Sequence, residues 1–200
     1  MWSGLGASGD GATTFAELVE RYVEPHRKYH TLQHLDECVG WFQAASQLAA
    51  RPAEVEAALW FHDAIYNLGQ ADNEAQSAKW AQVALSSAGV PDDAVARVSE
   101  LVLATRHASL PGSQDEQLLV DIDLSILGAD ERRFAQYEVQ IRDEYRFVAE
   151  PVFRQKRRAI LQSFLDRPFI YSTAHFRSAL EARARSNVSK AVAGISPSAD

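Results

Sequence analysis

Cysteine is almost missing from this chain: Cys38 is the single one among 200 residues. One thiol cannot form an intrachain disulfide, so the chain reads as a protein of a reducing compartment, the cytoplasm. Cys38 shares an apolar helical stripe with Leu35, Val39 and Phe42 and is expected to behave as a small hydrophobe. Positive charge is also short. The 27 Asp and Glu against 20 Lys and Arg leave a net charge of −7. Sequence-independent binding of nucleic acid rests on clustered cations, so no long nucleic-acid partner is expected. No apolar run approaches the roughly 20 residues that span a bilayer, so no membrane partner is expected either. Residues 1–12 are rich in Gly and Ser and lack the basic-then-apolar pattern of a secretion signal. They are expected to be flexible. Alternating strand patterns are nearly absent, no long-period repeat is found, and no linker divides the chain.

What the chain does have is helical periodicity. The hydrophobic share of 46% is enough for a sizeable core. Thr14-Phe15-Ala16-Glu17 has the pattern of a capping box and opens a first helix that Pro25 ends. A second is expected over Leu32 to Ala49, and Pro52 suits the first position of a third. Ala71 to Ala88 forms a fourth, stopped by Gly89, and Pro91 opens a fifth. Glu116 to Leu127 reads as a short sixth. Two longer helices follow, over Glu131 to Val148 and Pro151 to Leu165, and a last one begins near His175. The expected fold is all-α, an irregular multi-helix bundle: one domain over residues 13–192, then a polar, flexible tail over 193–200.

Within that frame one dipeptide stands out. His62-Asp63 lies in the apolar run Leu59-Trp60-Phe61-His62-Asp63-Ala64, and His62 falls on the stripe of Val55, Ala58, Leu59 and Tyr66. Burying a carboxylate costs several kcal/mol, roughly, unless a positive group pairs with it. No Lys or Arg lies within a helical turn on either side. A divalent cation is the natural partner if other ligands converge. Upstream, Tyr29-His30-Thr31-Leu32-Gln33-His34 offers His34; downstream, Asp121-Ile122-Asp123 offers a carboxylate. Asp123 lies four residues after Leu119 and four before Leu127, on the inward face with Ile122 and Ile126. Asp121 shares its face with the polar Gln117 and Ser125, so it is expected at the surface or behind a ligand. His26 and His175 read as structural. Imidazole and carboxylate together suit Zn, Mn, Fe, Co or Ni, with Mg a further option.

The order His34, His62-Asp63, Asp123 resembles the ligand set of the HD-domain superfamily of metal-dependent phosphohydrolases. Tyr29-His30…His34 is also similar to a motif of cyclic-nucleotide phosphodiesterases, and Leu103-Ala104-Thr105-Arg106-His107 to a further segment lining that site. From about Tyr22 to Asn187 the chain looks like a small bacterial group of HD-type proteins. The landmarks are Glu24-Pro25-His26-Arg27, Tyr29-His30-Thr31-Leu32, Asp72-Asn73-Glu74, Asp121-Ile122-Asp123-Leu124 and Ile170-Tyr171-Ser172-Thr173. The resemblance implies an HD-type helical fold that holds one or two divalent ions and hydrolyses a phosphate ester of a nucleotide or other small metabolite. It implies His30 as the proton donor to the leaving oxygen, and Asp63 as both ligand and orienter of the attacking water. Glu74 and His107 are candidates for extra ligands or groups behind them. Arg27, Lys28 and Arg106 are candidates to hold phosphate. A homo-oligomer is compatible with all of this. Two other readings stay open: a di-iron oxygenase, which needs further ligands, and a nucleotide-sensing module without catalysis.

Overall fold

The computed structural model describes residues 1–194. The fold is all-α, an irregular bundle of nine α-helices and three 3-10 helices among the described residues. No helix of these residues is long and apolar enough to cross a membrane. The chain divides into two compact units, one over Met1–Asp123 and one from Leu124 onward.

The first unit holds α1 (Ala12–Tyr22), α2 (Leu32–Ala45), α3 (Pro52–Phe61), α4 (Asn73–Ser87), α5 (Asp92–Ala104) and α6 (Gln114–Asp123). Its centre is α3, which packs against α2, α4, α5 and α6. That position explains its composition: Val55, Ala57, Ala58, Leu59 and Phe61 are fully buried, so the helix is apolar on nearly every side. Its one buried acid, Glu54, is met by a two-pronged Arg97 fork from α5, at 2.8 and 2.7 Å. The turn from α4 into α5 is a Schellman closure. Gly89 takes φ 78°, its amide reaches Ser86 O at 3.0 Å, and the Val90 amide reaches Leu85 O at 3.1 Å.

The amino-terminal residues are more built than their composition suggests. Trp2–Leu5 form a 3-10 turn with Leu5 buried, Trp2 Nε1 donates to Ser8 O at 3.1 Å, and the Ser8 amide donates to Ala88 O at 2.7 Å. The glycines there turn the chain: Gly6, Gly9 and Gly11 all have positive φ. Gly11 is also the N-cap of α1, with Asp10 Oδ1 accepting from the Ala12 amide at 3.0 Å. The expected capping box at Thr14 is therefore displaced. Asp10 supplies the acceptor one turn earlier, and Thr14 lies inside the helix.

The second unit begins with a fully buried 3-10 segment, Leu124–Gly128, followed by α7 (Glu131–Glu144), α8 (Glu150–Leu165) and α9 (Ala174–Gly194). α9 packs on α8 and on the 3-10 segment. Asn187 of α9 donates to Leu127 O and Ala129 O, both at 2.9 Å. Gly128 has room for no side chain: a Cβ there would fall 2.7 Å from Leu180 Cβ. Tyr171 in the landmark Ile170-Tyr171-Ser172-Thr173 donates to Leu124 O at 3.1 Å, while Glu181 accepts from the Ile170 and Tyr171 amides. That landmark thus anchors the entry to α9. The expected tail lies outside the described residues, apart from Ala193 and Gly194, which end α9.

Candidate metal centre

Three elements of the first unit bring the site together. Thr31 is extended, and its side chain accepts from the Gln33 amide, starting α2 at Leu32. His34 then falls in the first turn, facing inward with Leu35 and Cys38. α3 stops at Phe61, so His62 and Asp63 lie just past the helix and not within it. The carbonyls that a further turn would use are taken: Leu59 O accepts from the His62 ring at 2.7 Å and Trp60 O from the Tyr22 hydroxyl at 3.1 Å. Asp123 is the last residue of α6.

His34 and His62 each stand close to both carboxylates, while the group whose ligand atoms all lie near one another holds Asp123 and not Asp63. His34 Nε2 is 3.2 Å from His62 Nε2, 3.2 Å from Asp123 Oδ1 and 3.6 Å from Asp63 Oδ2. His62 Nε2 is 3.0 Å from Asp63 Oδ2 and 3.6 Å from Asp123 Oδ1. Ligands about 2.1 Å from one ion sit about 3.0 Å apart at right angles and about 3.4 Å apart at the tetrahedral angle. The observed separations match those edges. The ring tautomer agrees. His62 Nδ1 lies 2.7 Å from Leu59 O, and a carbonyl only accepts, so Nδ1 carries a proton and Nε2 is the nitrogen that faces the cluster. His34 Nδ1 meets the Tyr29 hydroxyl at 3.0 Å.

The imidazoles and carboxylates shift one another's titration. Burial opposes charge on His62, yet the adjacent Asp63 carboxylate, with Asp123, carries its pKa up to about 9. Burial likewise opposes charge on Asp63, but His62, His30 and His34 hold its carboxyl below the usual range. Asp123 is held well below that range against its burial by hydrogen bonds from His107 and His34.

Cys38 belongs to this neighbourhood, which the reading of it as a plain hydrophobe missed. His34, Cys38, His62 and Asp123 each bring a ligand atom within 4.8 Å of the others, a buried group that could hold a metal ion. The available signal was its spacing of four from His34 on one helix face. Its sulfur lies 3.7 Å from His34 Nδ1 and 3.8 Å from Nε2. Such near-equal distances put it beside the ring, out of line with the Nε2 lone pair.

The other candidates separate. His107 Nε2 meets Asp123 Oδ2 at 3.1 Å, so it backs the carboxylate whose other oxygen faces His34. It does so from a left-handed backbone, φ 54°, rare for a residue with a side chain. His30 precedes the N-cap of α2, so it is not on the helix with His34. Its ring stacks on Tyr66 at 4.1 Å and stands 6.1 Å from the His34 ring. Asp121 is fully buried, which corrects its expected surface place: residues 118–122 are all buried, so this turn of α6 has no solvated face. Arg27 is also buried, against its expected role as a phosphate holder, and Lys28 Nζ donates to Pro25 O at 2.9 Å. Arg106 is exposed and Glu74 sits in the first turn of α4. Neither has a hydrogen bond or ion pair with the cluster among the described residues. His26, expected to be structural, places Nε2 2.7 Å from Tyr66 O. No protein-family model, curated protein or solved structure matches the chain.

Proposed function

We propose that the chain is a metal-dependent phosphohydrolase of HD type, acting on a phosphate ester of a nucleotide or another small metabolite. The observation that carries this reading is the convergence of His34 Nε2, His62 Nε2, Asp63 Oδ2 and Asp123 Oδ1 within 3.0 to 3.6 Å of their histidine neighbours. These four residues would hold the ion, in one unit of the chain. When bound, a divalent ion there supplies Lewis acidity and lowers the pKa of water toward neutrality.

The chain's own residues supply the rest. His107 holds the far oxygen of Asp123 and so fixes how that carboxylate faces the two imidazoles. His30 stands at the side of the cluster with its ring braced on Tyr66, where it can give a proton to a departing alkoxide. The acidic surface favours a small substrate over a long polyanion.

The test is metal analysis of the purified protein, then a panel of phosphomonoesters and phosphodiesters with Mn, Fe, Co, Ni, Zn or Mg. Turnover that disappears with chelation and returns with one of these ions is the expected result. No hydrolysis of any ester by fully loaded protein would overturn the proposal. In that case an iron-specific spectrum would favour the oxygenase reading, and nucleotide binding without turnover the sensor reading.

A further inference from the structure

Arg27 has a feature that phosphate binding does not explain: its side chain is 0% exposed. A phosphate ligand must offer its guanidinium edge to the open side of a site. Arg27 spends its edge on the protein. Nε donates to Glu24 Oε2 at 3.0 Å. One Nη1 donates both to His30 O at 3.2 Å and to Asp63 O at 2.7 Å, and Nη2 donates to Ala64 O at 3.2 Å. Three carbonyls from two segments, at His30 and at Asp63 and Ala64, are thus tied to one planar group.

The faces of the guanidinium are used as well. It lies 5.4 Å from the centroids of both Tyr22 and Tyr66, and Tyr66 stacks on the His30 ring at 4.1 Å. His26 closes the same two segments from a second point through Tyr66 O. The backbone of His30 and the ring it leans on are therefore both referred to Arg27. So is the backbone of Asp63. Lysine could not do this, because its donors radiate from one point and cannot span the fork.

We infer that Arg27 is a positioning residue that fixes the His30 imidazole relative to Asp63 and the metal ligands, with no contact to substrate. A proton donor displaced by about 1 Å can lose on the order of 10²-fold in rate, so such a brace has a kinetic consequence. The activity arm of the test rests on the phosphohydrolase reading; the spectroscopic arm does not.

The experiment compares wild type with Arg27→Lys, both checked for fold by circular dichroism and for metal content. In the first arm, the ring protons of His30 are followed by NMR with labelled histidine, His30→Gln supplying the assignment. Stacking on Tyr66 shifts those protons upfield, and Arg27→Lys is expected to abolish the shift. In the second arm, an alkyl phosphate ester and a nitrophenyl ester are compared. kcat on the alkyl ester is expected to fall at least tenfold, about the low end of what an acid contributes. KM should stay within about threefold and the nitrophenyl ester should lose far less. A wild-type His30 signal in a folded Arg27→Lys would overturn the inference. So would a raised KM with kcat preserved, which is the signature of a phosphate ligand. If the wild type hydrolyses neither ester, the functional proposal fails and the NMR arm alone decides this one. Should Arg27→Lys not fold, Glu24→Gln removes the anchoring charge and keeps Arg27. The same pattern at smaller amplitude is then expected, and a wild-type His30 signal there would overturn the inference.

Discussion

At the scale of single residues, the geometry sets an order among the proposed ligands. His62 has one nitrogen committed to Leu59 O and the other facing the cluster, so His62→Ala should release most of the metal, read by elemental analysis after gel filtration. Stoichiometric metal retained in that variant would remove His62 from the set. The two downstream carboxylates should separate as well. Asp123 offers one oxygen to His34 at 3.2 Å and the other to His107 at 3.1 Å, so Asp123→Asn should cost much of the metal affinity. Asp121 is buried and is not one of the group His34, Cys38, His62 and Asp123, so Asp121→Asn should lower the melting temperature with little loss of metal. Equal metal losses would show both to be ligands. The sulfur of Cys38 lies beside the His34 ring, so Cys38→Ser should keep metal affinity within about tenfold. A larger loss, or a sulfur-to-cobalt charge-transfer band in the wild type that Cys38→Ser removes, would place the sulfur in the coordination shell.

At the scale of elements, the helices were legible wherever the chain carries punctuation. Pro52 opens α3, and Gly89 with Pro91 separates α4 from α5, because a ring without an amide hydrogen and a residue without Cβ leave the backbone few options. The ends set by distant partners were not legible. α3 stops at Phe61, where the Tyr22 hydroxyl takes the Trp60 carbonyl that a longer helix would use, and nothing near His62 in the sequence announces that. The phase of α6 turned Asp123 toward the cluster but could not decide between a surface and a buried place for Asp121, since a helix turn buried all round has no polar side to read. The two special glycines should respond differently to alanine. At Gly89 the nearest atom to a new Cβ is Ser8 Oγ at 3.5 Å, so only the positive φ resists it, and about 1 kcal/mol should be lost. At Gly128 the Cβ would collide with Leu180 Cβ and crowd its backbone, so about 1–3 kcal/mol is expected. Urea unfolding measures both, and a neutral Gly128→Ala would mean that α9 yields easily.

At the scale of the whole molecule, the part-buried carboxylates of the proposed site would make a proton and a metal ion rivals. Asp63 and Asp123 stay ionised at neutral pH, and without metal the His62 imidazolium balances them, its pKa raised to about 9. The sign follows. A raised pKa contributes stability in full below the unfolded-state value near 6.5, and that stability drains as pH rises through about 9. The depressed carboxyls act in the opposite direction: their contribution is present above the unfolded-state value of about 4 and is lost as pH falls below it. Chelated protein should therefore melt highest between about pH 4 and 6.5 and lose melting temperature from there to pH 9. Metal must displace the His62 proton, so its apparent affinity should climb with pH over the same interval, by up to about tenfold per unit. Ligand binding to the folded state alone raises stability with the logarithm of free metal over Kd, so the gap between loaded and chelated melting curves should widen from pH 6 to pH 8. Scanning calorimetry across that range, with and without chelator, measures the gap directly. A gap that is constant with pH would mean that no proton leaves when metal enters. His62 would then hold its second proton whether or not the metal is bound, and the four-atom cluster would be an ion-pair network stabilising the core, with the metal held elsewhere in the chain.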